Sequence, residues 1–186
     1  VIQLSNAQTF NIDKHTKATI WISEVGINRD SAIAINIDGN VFLNQNDCKI
    51  FDLISNLEYK VKYYSCQFSG ANYHPCCYMY PDDKMKRISI EKVESKLHTL
   101  CQTLKILQPE FYLPAAGPAV FPFLPDDHPA RSIDSTFIHQ DYLGKYLARE
   151  GINNVIYLSP GDKFSDLHIN PIPAPTQDTI ANYREN

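Results

Sequence analysis

The sequence has no apolar run approaching the roughly 18–20 residues that a membrane span needs. No signal-peptide pattern opens it, because no basic start leads into an apolar stretch and a small-residue cleavage site. An excess of positive charge is also missing. Lys and Arg number 17 against 21 Asp and Glu, giving a formal net charge of −4 and a pI of about 5.8. A general electrostatic grip on nucleic acid or on an anionic membrane is not expected from that balance. Cysteine supplies no disulfide framework. The five residues, Cys48, Cys66, Cys76, Cys77 and Cys101, are odd in number and irregularly spaced, so free thiols in a reducing, cytoplasmic setting are the expectation. The adjacent pair Cys76-Cys77 lacks the roughly two to four intervening residues that let two thiolates converge on one zinc. There is no internal repeat. What is present, in 186 residues, is 44% hydrophobic and 20% charged, enough to fold and bury a core.

The first third reads as strands. Apolar residues alternate through Ala18–Ser23, with Trp21 on the opposite face, and through Ala32–Ile37, where Ile33, Ile35 and Ile37 share a face. These three isoleucines are expected to be buried between the sheet and another layer. Asp38-Gly39-Asn40 then predicts a hairpin into Val41–Leu43, because Asp-Gly tolerates positive φ. Val61–Tyr64 and Phe111–Leu113 are further short strands, and Asn154–Leu158 the last. A helix is predicted over Ser89–Gln108, where Val93, Leu97, Leu100 and Leu104 form a stripe, Ser89 is the N-cap candidate and Pro109 the stop. A second helix is predicted over Gln140–Glu150, capped by Gly151. Asn72–Asp83 reads as an irregular loop. Strands followed by alternating helix and strand give an α+β class, a mixed sheet packed by helices. One domain is expected over residues 1–168, with an extended tail over 169–186.

Three loops follow strand ends and could share one edge of the sheet: Asn44–Lys49, Gln67–Tyr78 and Pro114–His128. Asp47, after Val41–Leu43, is either a carboxylate positioned for a metal ion or an ordinary turn residue. His74 is a ligand, an acid–base group, a substrate contact or a plain loop histidine. Ser69 and Gly70 are small residues past which a ligand could approach the backbone. His128 is a ligand candidate or a structural histidine.

Taken in order, Asp30-Ser31-Ala32, Asn46-Asp47-Cys48, Gln67-Phe68-Ser69-Gly70-Ala71, Pro75 with Cys77-Tyr78, Pro114–Pro118, His128-Pro129 and Pro160-Gly161-Asp162 resemble the metallo-β-lactamase superfamily. Within it they are most like the catalytic region of CMP-N-acetylneuraminate hydroxylase and its bacterial relatives. The resemblance spans about residues 25–165 and implies the second half of an αββα sandwich. It also implies one or two metal ions, zinc or iron, with Asp47 as a bridging carboxylate and His128 as a late histidine ligand. Ser69, Gly70 and His74 would then shape the substrate side. The superfamily's upstream His-x-His-x-Asp-His motif has no counterpart here, His15 being the only histidine before Asp47. The hydroxylase's Rieske cysteine–histidine signature is missing as well. The resemblance therefore implies a partner in the form of an N-terminal segment of the same fold. The activity it implies is metal-dependent hydrolysis, or di-iron hydroxylation with an electron-transfer partner, on a small molecule such as a nucleotide-sugar. The competing expectation is a non-catalytic binding or scaffold domain that uses the Tyr73–Tyr80 loop as its contact surface.

Overall fold

The computed structural model describes residues 4–23, 30–70, 73–75, 77–117, 119, 123–125, 127–128, 130, 135–158, 161–165 and 168–170. The chain forms two compact units, Val1–Val155 and Ile156–Asn186.

The first unit is built on a six-stranded mixed sheet in sequential order, β1 (Gln8–Asn11), β2 (Thr16–Ser23), β3 (Asp30–Ile37), β4 (Asn40–Asn46), β5 (Tyr63–Gln67) and β6 (Phe111–Ala115). Strands β1 to β4 pair antiparallel in succession. The β3–β4 hairpin turns on Asp38 and Gly39, whose φ values of 47° and 89° are the positive pair that such a two-residue loop requires. Strands β4, β5 and β6 are parallel. Parallel neighbours need long connections, supplied by α1 (Phe51–Ile54) and α2 (Asp82–Leu107). Helix α3 (Gln140–Arg149) follows, and Val155 then bridges in parallel to Tyr112. The expected strand Asn154–Leu158 is reduced to that single bridge. The class is α+β.

Helix α2 begins seven residues before the predicted start. Pro81 sits at the cap and Asp82 and Asp83 occupy the first turn, where carboxylates meet the positive end of the helix dipole. Ser89 is therefore a mid-helix residue and not a cap. The helix ends where expected, with Gln108 in the left-handed region at φ 45°. Helix α3 matches its prediction, and Gly151 follows at φ 79°.

Helices α2 and α3 lie on one face of the sheet, and α1 packs against α2. In the core, Leu97, Leu100, Cys101 and Leu104 of α2 and Leu143 and Leu147 of α3 pack on Trp21, Ala32, Ala34, Val41, Leu43, Tyr64, Cys66 and Tyr112. The register puts these strand residues on a common side, since Trp21 pairs with Ala32, Ala34 with Leu43, and Leu43 with Tyr64, which pairs with Tyr112. This corrects the expected orientation of β2 and β3. Ile33 and Ile35 are only half-buried and Ile37 is 50% exposed, whereas the alanines between them face the helices. Helices need to approach a sheet to about 10 Å, and short side chains in β3 make room for the large ones of α2, β5 and β6.

The opposite face carries Ile20, Ile22, Ile33, Ile35, Phe42, Tyr63, Phe111 and Leu113, all half-buried. Tyr63 stacks on Phe111 at 5.6 Å there. Among the described residues, the core side chains of α2 and α3 all pack on the other face.

In the second unit, β7 (Lys163–Ser165) and β8 (His168–Asn170) form an antiparallel hairpin. Residues 169 and 170, expected as the start of the tail, thus belong to a strand. Residues 171–186 lie outside the described residues.

Candidate functional site

Because β4, β5 and β6 are parallel, the segments that follow them leave from a single edge, as the sequence predicts. At the end of β4 the register shifts between Asn44 and Asn46, and Asn46 takes a φ of 51°. The irregularity turns the chain so that Asp47 is exposed while Cys48 is completely buried. Gln45, also fully buried, anchors the turn. Its Nε2 donates to the Cys48 carbonyl (2.7 Å), and its Oε1 accepts from the Tyr64 hydroxyl. Burial pushes the Cys48 thiol up to about 11, with Asp30 and Asp47 adding to the effect, so this thiol is neutral and inert at physiological pH.

After β5 the chain packs tightly. Phe68 and Ser69 are fully buried, and the Phe68 N–H donates to the Ala115 carbonyl of β6. Gly70 donates its N–H to the Thr136 carbonyl at 3.0 Å. Gly117 sits so close to this turn that a Cβ built on it would lie 2.3 Å from the Cβ of Ser69. The small residues of the two loops therefore serve their mutual approach. The Ser69 hydroxyl is buried and has no hydrogen-bond partner among the described residues.

His74 is in the interior, at 3% exposure. Its Nε2 lies 2.9 Å from the Ser89 hydroxyl, and the ring also bonds the backbone of Met85. The Thr136 hydroxyl donates to the His74 carbonyl at 3.0 Å. Burial, then the charge of Lys92, lowers the pKa of the imidazole, and the Met85 bond opposes this. As placed, His74 fastens its loop to α2.

His128 is half-buried. Its Nδ1 accepts the Ala130 N–H at 3.1 Å. A neutral ring that accepts at Nδ1 carries its proton on Nε2. Coordination through Nε2 would require that proton to leave and the Ala130 bond to break. Among the described residues, no group of three or more His, Cys, Asp or Glu side chains is placed to hold one ion. Asp47 and His128 thus do not make a metal site by themselves, and the donors present do not fit a resident ion without others.

The same edge holds a feature that the sequence reading missed. A cleft of about 540 Å³ opens between the end of β5 and α2, lined by Phe51, Cys66, Gln67, Ile88, Lys92 and Lys96 among others. Lys96 is half-buried in it and donates to Gln67 Oε1 at 3.2 Å. Burial lowers the pKa of its ammonium, while Cys66 and Asp47 pull it back up and Lys49 pushes it down. Asp47 also raises Cys66, whose leading cause is burial. These couplings place the Asp47 carboxylate in the surroundings of the cleft. A signal did exist in the sequence. Lys96 falls between Val93 and Leu100 and flanks the apolar stripe, the position from which a long side chain lies along buried surface.

No protein-family profile matches the chain, and no curated protein matches it. Among solved structures it is similar to a Parabacteroides distasonis protein that carries the provisional name of metal-dependent hydrolase. That likeness has 13% identity and a TM-score of 0.48, and it covers 83% of this chain. The chain spans 56% of the length of that neighbour.

Proposed function

We propose that this chain is the carboxylate-bearing half of a metal-dependent enzyme of metallo-β-lactamase type, hydrolytic in its simplest form. The observation that carries the reading is the sheet itself. One face is sealed by helices, and the other is an isoleucine- and aromatic-rich surface in the same unit that presents Asp47 at the shared strand edge. Domains are built of layers that bury such faces, and an αββα sandwich would cover this one with a second sheet. That layer would bring the histidines this chain lacks. Asp47, exposed on a turn anchored by Gln45, is free to meet them without repacking the core. His128 would join only by exchanging its Ala130 bond for the metal, and Gly70 would border the substrate, with Ser69 enclosed behind it.

Zinc at such a centre would favour hydrolysis of an ester, amide or phosphoester. An iron pair would favour hydroxylation of a nucleotide-sugar or similar metabolite, with an electron-transfer partner. Metal identity separates the two. The test is the metal-to-protein ratio of the full-length polypeptide. At least one zinc or iron per chain is expected, falling sharply in Asp47→Ala and unchanged in Cys48→Ser. A full-length polypeptide that retains no transition metal overturns the proposal. It would favour a binding domain instead, a reading supported by the exposed loop in which Tyr78 stacks on Tyr80 at 5.8 Å beside the fully exposed Met79.

A further inference from the structure

The cleft between β5 and α2 has the make-up of a small-molecule site whatever becomes of a metal. Its volume of about 540 Å³ falls within the range of about 300–1,000 Å³ typical of ligand pockets. It opens at the carboxyl end of a parallel strand, where open sheets usually take their ligands. Its walls divide by chemistry. Phe51, Ile88 and Leu100 are apolar, whereas Gln67, Ser95 and Thr99 offer amide and hydroxyl groups.

The charges are not balanced within the cleft. Lys96 holds its ammonium half out of water with the Gln67 amide oxygen as hydrogen-bond partner. Among the described residues, no carboxylate lies within ion-pair distance of it. Glu91, on the same wall, is turned towards Arg87 at 3.9 Å. Lys92 stands one turn before Lys96 and Lys49 adds positive field, while Asp47, beyond ion-pair distance, offsets part of it. A partly desolvated cation with a neutral acceptor is an incomplete arrangement, and a charged acceptor forms a shorter and stronger bond with it.

We infer that this cleft binds a small organic anion, a carboxylate or phosphate attached to a flat apolar body. Lys96 serves as its counter-ion, Gln67 and Ser95 as hydrogen-bonding neighbours, and Phe51 as the surface against which the apolar part lies. The site needs no metal, although Asp47 lies in its surroundings.

The experiment is a titration of the 186-residue chain, followed by amide chemical shifts, with inorganic phosphate, benzoate, phenyl phosphate and neutral benzamide. Saturable binding of phenyl phosphate or benzoate is expected, with shifts at Gln67, Ser95 and Lys96, and benzamide should bind far more weakly. Preference for phenyl phosphate identifies a phosphate-bearing ligand, and preference for benzoate a carboxylate. Lys96→Met should weaken binding by about tenfold or more, the loss of a charge-assisted bond. Ser95→Asp changes an exposed helix position, so it preserves the fold, and it should abolish binding by placing a carboxylate beside Lys96. Lys60→Met, at an exposed residue outside the lining, should leave affinity unchanged. The inference is overturned if neither aromatic anion saturates, if benzamide binds as well as the anions, or if both cleft variants bind like the parent chain.

Discussion

The two faces of the central sheet share the same strands and the same alternation, yet they live in different environments. On one, Ala32, Ala34, Val41, Leu43, Tyr64 and Tyr112 are almost completely buried under α2 and α3. On the other, Ile33, Ile35, Phe42 and Phe111 remain half-buried and Ile37 is half exposed. Judged by hydrophobicity, the isoleucine face is the stronger candidate for the core. In β3 the helices take the alanine side, where short side chains leave room for Trp21, Tyr64 and Tyr112 of the other strands. The contrast shows that an apolar surface and a covered surface are different things, and that the difference between them marks where a further layer belongs.

The largest test of this contrast is a pair of truncations. Leu100→Ala removes a side chain that is 3% exposed between α2 and the sheet, and the expected loss is about 2–5 kcal/mol. Ile37→Ala, on the other face, should cost less than about 1 kcal/mol, because much of its surface already meets water. Chemical denaturation of both variants measures the difference. If Ile37→Ala costs as much as Leu100→Ala, the isoleucine face is covered within this chain and the layer argument fails.

Much of the scaffold was legible in the sequence. The Asp38-Gly39 hairpin, both helices and the convergence of three strand-end loops all rest on local signals that tertiary packing reinforced. The orientation of β2 and β3 was not legible, because alternation defines two faces without saying which one the helices choose. The start of α2 was missed because Pro81-Asp82-Asp83 reads equally as a turn and as a helix opening. The short β1 and α1 carry too few residues to show a period. At the site, the exposure of Asp47 and the burial of Cys48 follow from strand alternation broken by one irregular residue. The fates of His74 and His128 depend on partners distant in sequence or on backbone groups, which no spacing reveals. Lys96 was overlooked because a lysine beside an apolar stripe reads as solvated surface.

A second, smaller effect is expected where the strand ends meet. Gly117→Ala places a Cβ 2.3 Å from that of Ser69 and 3.3 Å from the ring of Phe68. Both neighbours are fully buried, so the turn cannot yield by swinging a flexible side chain into water. Overpacking of this kind costs about 1–3 kcal/mol. Gly39→Ala provides the comparison, since a Cβ there meets nothing within 4 Å but suffers the positive φ of 89°. Its cost is local backbone strain, about 1 kcal/mol. Thermal melts of the two variants separate crowding from strain. A loss in Gly117→Ala well below about 1 kcal/mol would mean that the β5 and β6 loops are not in close contact, and the shared edge would have to be redrawn.

The smallest effect concerns how the loop after β5 is fastened to the helix layer, and it is read through pH. The folded pKa of His74 lies below its ordinary value of about 6.5, chiefly because the ring is buried. Above about pH 6.5 the ring is neutral in both folded and unfolded chains, and its bonds to Ser89 and Met85 contribute their full stabilisation. As pH falls below 6.5, the unfolded chain takes up a proton that the folded chain still excludes. Stability therefore falls towards the lowered folded value. Other groups titrate over the same range, so the useful quantity is the gap between the parent chain and His74→Gln. At pH 7.5 the variant should be the less stable, having lost a buried ring held by two elements. At pH 5.5 the gap should narrow, because the parent pays a protonation penalty that glutamine does not. Urea unfolding at the two pH values supplies the four free energies. A gap that stays constant or widens towards pH 5.5 would place His74 in contact with water, and with it the loop that bears Ser69 and Gly70.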